Sequence, residues 1–234
     1  MDQEIVWQYD EFKQIGKDYS SQSEVEVYDS SHATFRDLEA ESLRVLDLLE
    51  LKESDALIEF GSGSGTFALM ASQRCRHVHA VDVSLAMLDL SREKTSHAGV
   101  SNIEYHHAGF LTYEHRELPV QAVATTLALH HLPDFWKGVA LKRVHNMLSP
   151  NGKLYINDVI LEETNATENI KALIEHQAAV GGDFMREDAE AHFREEFSTY
   201  DWVMEGLLKR SGFTIVSKSI EGGVLGTYLC RRSA

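Results

Sequence analysis

Basic residues are scarce in this 234-residue chain: 22 Lys and Arg stand against 37 Asp and Glu, for a formal net charge of −15. A surface of that sign repels nucleic acid and anionic lipid, and the adjacent basic residues, Lys142-Arg143 and Arg231-Arg232, are only pairs. Neither nucleic acid nor a membrane is expected as a partner. Cysteine is limited to Cys75 and Cys230, far apart and in neither metal-type nor redox-type spacing. Two reduced thiols in a cytoplasmic protein are the expectation. No apolar run approaches the ~20 residues of a membrane span. The stretch Met1-Asp2-Gln3-Glu4 is acidic and has no apolar signal core. Internal repeats and low-complexity tracts are also lacking.

What remains is a chain that is 43% hydrophobic, enough for a substantial core, with a length suited to a single domain over residues 1–234. Residues 1–30 are polar with scattered aromatics. Phe35, Leu38, Val45, Leu46 and Leu49 then recur at helical spacing and predict a helix over 31–50, capped by Ser30 or Ser31. Strands and helices alternate from there: strand 56–60, helix 64–75, strand 78–82, helix 84–98 with Ser84 as cap, strand 102–106, strand 121–127 and helix 134–148. The turn Ser149-Pro150-Asn151-Gly152 precedes strand 153–159. That rhythm predicts right-handed βαβ units and a parallel sheet. Residues 161–195 read as helical and acidic, and helix 199–211 follows, with Trp202 expected to be buried against the sheet. Strands 213–219 and 224–230 flank Glu221-Gly222-Gly223 as a hairpin. The expected fold is α/β: a Rossmann-like, doubly wound, mostly parallel seven-stranded sheet with an antiparallel C-terminal hairpin strand.

The chemistry concentrates at residues 57–65, Leu-Ile-Glu-Phe-Gly-Ser-Gly-Ser-Gly. A strand runs into Gly61, Gly63 and Gly65, which let backbone approach a ligand closely. Seventeen residues after Gly65, Asp82 ends the next strand, where a carboxylate can accept from a ribose diol. A dinucleotide fingerprint wants Gly-x-Gly-x-x-Gly, but position 66 is Thr and the third glycine comes one residue early. Glu59 adds a carboxylate near the loop. That acid suits a ligand with an ammonium group better than one with two phosphates.

Glu59-Phe60-Gly61-Ser62-Gly63-Ser64-Gly65 and Val81-Asp82-Val83-Ser84-Leu85-Ala86-Met87-Leu88 resemble the first two motifs of class I S-adenosylmethionine-dependent methyltransferases. Leu129-His130-His131-Leu132-Pro133-Asp134 resembles the His-His-Leu stretch of the small-molecule, ubiquinone-biosynthesis-like branch. Leu148-Ser149-Pro150-Asn151-Gly152-Lys153-Leu154 looks like the Leu-x-Pro-Gly-Gly-x-Leu approach to the fifth strand in that family. The resemblance implies S-adenosylmethionine as cofactor and S-adenosylhomocysteine as product. It places Gly61, Ser62 and Gly63 along the methionine part, Asp82 on the ribose, Val83 and Met87 on adenine, and Leu127 near the methyl-transfer channel. The family's Gly-Asp after the third strand is here Ala108-Gly109-Phe110, so Gly109 lacks the carboxylate that meets the adenine amino group, while the Phe110 N–H remains. Similar enzymes fold the N-terminal segment over the cofactor, which makes 1–35 a lid segment with Tyr19, Tyr28 and Arg36 as candidates for the methionine carboxylate. Residues 161–212 would lie on the substrate side.

For His130 and His131 three roles stay open: packing and capping, a general base, or a metal site with Asp158. Metal-dependent relatives need an acid at the end of the fourth strand, where this chain has Thr125-Thr126, so no metal is expected there. The function read from the chain is methyl transfer to a small-molecule acceptor, by a monomer or homodimer. A nicotinamide-dependent oxidoreductase and a non-catalytic S-adenosylmethionine-binding module are the alternatives.

Overall fold

The computed structural model describes residues 6–13, 15 and 37–233. Helix α1 (Leu38–Leu49) starts at Asp37, whose carboxylate accepts from Ala40 N at 3.0 Å, and it stops on Glu50 in the left-handed conformation. The expected helix over 31–50 is seen from 38 onward, and residues 31–36 lie outside those described. There follow β1 (Ala56–Phe60), α2 (Thr66–Ser72), β2 (His77–Asp82), α3 (Leu85–His97), β3 (Ile103–His107) and β4 (Val120–Thr126). A 3₁₀ turn (Leu129–His131), α4 (Asp134–Met147), β5 (Leu148–Leu161) and α5 (Ala166–Glu195) come next, then β6 (Thr199–Tyr200), α6 (Asp201–Arg210), β7 (Phe213–Glu221) and β8 (Leu225–Arg232).

The strands form one sheet in the order β3-β2-β1-β4-β5-β8-β7, with the two-residue β6 paired to β5 off that path. The first five strands are mutually parallel, and β8 runs antiparallel to both its neighbours, β5 and β7. The mostly parallel, Rossmann-like sheet with its C-terminal hairpin is therefore as expected, with β6 as an eighth strand. All five residues of β1 are buried, because helices cover both faces of a central parallel strand. Its side chains alternate between two cores. Leu57 joins Val78, Ala80, Leu46 and Ala68 on one face, while Ile58 and Phe60 join Val81, Val123, Leu141 and Leu208 on the other. Each fully buried aliphatic or aromatic side chain contributes about 1.5–3 kcal/mol.

Two expectations need correcting. Ser149-Pro150-Asn151-Gly152 does not precede the fifth strand but lies inside it: Val120 pairs with Leu148 and Ala122 with Lys153, so the intervening residues bulge out, Asn151 at φ 63°. Trp202 is 57% exposed, because α6 turns Met204 and Leu208 inward instead. The stretch 161–195 is helical, as α5, but it is broken at Gly182 (φ 67°, ψ −155°). Both cysteines are free and buried. Among the described residues no helix is long and apolar enough to cross a membrane. After β1 the chain builds outward to β2 and β3, then returns to lay β4 on the other side of β1. Strand order reverses between β1 and β4, and a ligand crevice belongs beyond their carboxyl ends.

Candidate functional site

At that reversal point the backbone leaves Phe60 and turns left-handed three times, at Gly61 (φ 70°), Gly63 (φ 51°) and Gly65 (φ 80°). A Cβ on Gly61 would sit 2.4 Å from Ala128 Cβ, so the bare glycine lets the chain after β4 close on the loop. Gly61 N and Ser62 N both donate to Val81 O, at 2.9 and 3.1 Å. Asp82 completes the brace: Oδ2 accepts from Gly63 N and Oδ1 from Ser84 N, each at 2.8 Å. Ser84 caps α3 as expected, its Oγ accepting from Met87 N at 3.2 Å. Burial raises the Asp82 carboxyl, and the backbone donors work against that rise. A carboxylate offers about four lone-pair sites, so acceptor capacity remains for a further donor.

Three buried polar atoms nearby have no partner among the described residues: Glu59 Oε2, Ser62 Oγ and Thr125 Oγ1. Burial, reinforced by the charge of Asp82, lifts the Glu59 carboxyl well above its ordinary range. Unsatisfied buried polar atoms are costly, and their concentration at the carboxyl ends of β1 and β4 is what a site shaped for a polar ligand looks like without one. Glycine backbone, an acid with one unpartnered oxygen and a second acid with spare acceptor capacity suit an adenosyl group carrying an ammonium. Leu127 adds strain: it holds φ 51°, with its N–H on Asn157 O at 2.8 Å.

Asp158 organises the turn after β4. Its Oδ2 accepts from Leu129 N at 2.8 Å and His130 N at 3.2 Å, and its Oδ1 lies 2.6 Å from His130 Nδ1. The other ring nitrogen of His130 is 3.0 Å from Glu196 Oε2, which lies 2.6 Å from His192 Nδ1. Burial alone would lower the His130 pKa, but Asp158 and then Glu196 outweigh it and bring it up to about 9. Both nitrogens of that ring face carboxylates, which leaves none for a substrate. The half-buried His131 ring stands 4.2 Å away. Burial, then the charge of His130, push His131 down to about 4. Of two adjacent histidines, His130 thus favours the charged form and His131 the neutral one at neutral pH.

Residues 7–12 touch the same end of the sheet. Trp7 meets Trp136 with ring centroids 5.8 Å apart, Tyr9 meets Phe197 at 6.1 Å and Phe12 meets His107 at 5.0 Å. Glu11 places Oε1 and Oε2 each 3.0 Å from Leu111 N, with Thr112 Oγ1 donating to Oε1 at 2.7 Å. A Cβ on Gly109 would lie 2.4 Å from Glu11 Cδ. The space that a side chain at 109 would fill is therefore taken by the carboxyl of Glu11.

Glu59, Gly61, Ser62, Gly63, Asp82 and Leu127 come together at the ends of β1, β2 and β4. Val83 is half-buried and Met87 buried beyond Asp82. Gly109 follows β3, and Phe110 spends its ring stacked on Phe60, at 4.6 Å and 16°. Tyr19, Tyr28 and Arg36 lie outside the described residues. Glu11, His192 and Glu196 were not foreseen. The acid missing at Gly109 was the one hint of Glu11. A surface hollow lined by Ser54, Arg76, Arg116 and Gln121 lies beyond the amino ends of the strands, away from this crevice.

The sheet order and the glycine turn at its reversal point define a class I methyltransferase fold. Residues 57–152 match the family described as a methyltransferase domain. An uncharacterized methyltransferase of Geobacillus kaustophilus is 29% identical over 205 residues, covering 88% of each chain. The N-methyltransferase NodS of Bradyrhizobium japonicum, solved with S-adenosylhomocysteine, superposes with a TM-score of 0.65 at 17% identity, over 93% of this chain and all of that one. The [4+2]-cyclase SpnF superposes with 0.66 at 12%, over 91% and 94%. At such identities the structural likeness concerns the fold, and a fold hosts more than one chemistry. Residues 57–152 thus carry a methyltransferase domain, and over 88% of its length the chain resembles sequence relatives named as methyltransferases.

Proposed function

We propose that this protein binds S-adenosylmethionine at the glycine turn and passes its methyl group to a small-molecule acceptor. The observation that carries the reading is the set of unpartnered buried atoms, Glu59 Oε2 and Ser62 Oγ, beside Gly61, Gly63 and Asp82. S-adenosylmethionine supplies a methyl on a positively charged sulfur, which a nucleophile displaces in line, leaving S-adenosylhomocysteine. Glu59 would take the ammonium of the methionine part and Asp82 the ribose hydroxyls, with Val83 and Met87 against the adenine ring. The chain's task is alignment and exclusion of water, because the methyl is already activated. Residues 7–12 would form part of a cover over the site. A net charge of −15 argues for a small metabolite over nucleic acid as acceptor.

Glu11 extends the reading. Its carboxyl fills the place of the acid that the family resemblance implies at position 109, so it would accept from the adenine amino group. Calorimetry with S-adenosylhomocysteine and its 6-oxo analogue S-inosylhomocysteine tests both levels. The wild type is expected to bind the adenosyl compound and neither NAD nor NADP, and to prefer it over the inosyl compound by about tenfold or more, as a charged hydrogen bond dictates. Glu11→Ala should narrow that preference, and Glu11→Ala with Gly109→Asp should restore it. Binding of only the dinucleotides would end the cofactor reading. An unchanged preference in Glu11→Ala would leave Glu11 as a brace for the turn.

His131, neutral at working pH, is the group placed to take a proton from the acceptor. A base near 4 is weak, so it serves orientation as much as proton transfer. His131→Ala should lower kcat with labelled cofactor while leaving cofactor affinity unchanged, and the wild-type rate should hold from pH 8 down to about 5. A change confined to affinity would assign the ring to packing, and binding without turnover over a broad acceptor panel would favour a non-catalytic module.

A further inference from the structure

The outer edge of the sheet carries a second histidine cluster that methyl transfer does not use. In the pairing of β2 with β3, His79 lies opposite Glu104 and Val81 opposite His106. Side chains repeat every second residue along a strand, so His77, His79, Glu104 and His106 all project from one face. The sequence signature is His-x-His on β2 and Glu-x-His on the neighbouring strand.

Their ligating atoms are already gathered. His77 Nε2 lies 3.5 Å from Glu104 Oε2, His79 Nδ1 lies 3.7 Å from the same oxygen, and His106 Nε2 lies 3.7 Å from Glu104 Oε1. His79 Nδ1 and His106 Nε2 are 3.3 Å apart. One donor atom each from His77, His79 and Glu104 fall within 4.8 Å of one another. A tetrahedral zinc site with bonds of about 2.0–2.1 Å sets its donors roughly 3.3–3.5 Å apart. The separations of 3.3–3.7 Å among these pairs lie close to that spacing, with His106 joining through His79 and Glu104.

The nitrogens left over point the same way. His79 is 2% exposed, and its Nε2 has no hydrogen-bond partner, nor has His77 Nε2. With Nδ1 on a metal, His79 would present its Nε2–H to Glu117 Oε2, 4.0 Å away, as the carboxylate partner that orients a ligating imidazole. His115, whose ring centre is 5.0 Å from that of His79, is otherwise engaged: its Nδ1 meets Tyr113 Oη at 3.2 Å and its Nε2 meets Leu118 O at 2.9 Å. Burial and the neighbouring histidines keep His79 neutral at pH 7, the form that ligates.

We propose that His77, His79, His106 and Glu104 form a binding site for a divalent transition-metal ion of the zinc type, which ties the edge strand β3 to β2. The site is structural and lies apart from the glycine turn, so its test does not depend on the cofactor reading. Full-length protein stripped with a chelator is titrated with zinc by calorimetry, and with cobalt by visible absorption. One equivalent per chain, a tetrahedral cobalt spectrum and a higher melting temperature with zinc are expected. His106→Gln and Glu104→Gln, whose side chains are 23% and 51% exposed and tolerate substitution, should each weaken zinc binding at least tenfold and leave S-adenosylhomocysteine affinity unchanged. His192→Gln, in the His130-His192-Glu196 group, should leave zinc binding intact. Absence of zinc uptake, or its loss in His192→Gln with retention in both edge variants, would overturn the assignment.

Discussion

Asp82→Ala is expected to weaken S-adenosylhomocysteine binding tenfold or more and to lower stability in the same step. The two effects share one cause. In the folded chain the carboxylate already accepts from Gly63 N and Ser84 N, so it holds the glycine turn and the start of α3 in place. Alanine leaves both N–H groups without an acceptor, at about 1–3 kcal/mol for each donor that stays buried. The sugar loses its charged acceptor as well, about 1.5–3 kcal/mol of affinity. Asp82→Asn separates the two. Its amide oxygen can still serve one of the two backbone donors, so part of the stability should return while affinity stays depressed. Calorimetry with parallel urea melts measures both quantities, and an unchanged dissociation constant in Asp82→Ala would remove Asp82 from the ribose.

Asp158→Asn should cost about 3–5 kcal/mol of stability at pH 7, the usual result of removing one partner from a buried ion pair. It strips His130 of its nearer carboxylate and leaves a buried imidazolium facing Glu196 alone. The pH dependence gives a second readout. The His130 pKa is about 9 in the folded chain against about 6.5 unfolded, so its contribution is complete below about pH 6.5 and drains away as pH rises through 9. His79 and His131 behave oppositely: both sit near 4, so stability falls as pH drops from about 6.5 toward 4 while the unfolded chain takes up protons. The wild type should therefore be most stable close to neutrality. In Asp158→Asn the alkaline decline should flatten while the acid decline persists. An alkaline slope equal to that of the wild type would show that His130 is not held charged by Asp158.

Much of this architecture could be read from local pattern. The glycine turn, Asp82 at the end of β2, the Ser84 cap and the βαβ alternation depend on residues within a few positions of one another, where periodicity and turn chemistry are strong. The bulge in β5 was not legible, because Ser-Pro-Asn-Gly marks a turn whether or not the residues on either side stay in register with β4. Trp202 was misjudged because hydrophobicity says nothing of which helix face meets the sheet. Glu11 and Glu196 escaped for a different reason: each acts 100 or 66 residues from its partner, at Leu111 and His130, and no local rule reaches so far. The edge cluster escaped as well, because its convergence needed the β2–β3 register.

Gly182 does more than interrupt α5. Eleven residues of unbroken helix would hold two side chains about 16 Å apart, yet Arg186 grips both oxygens of Glu175 at 3.0 Å. Phe193 likewise packs into the small cluster that contains Ala166, Ile170 and Leu173. The polypeptide thus leaves the sheet, doubles back at one glycine and comes home beside its point of departure, where Tyr200 pairs with Leu161. Such an excursion can be shortened or extended at its tip without shifting Glu196 or the strand that follows.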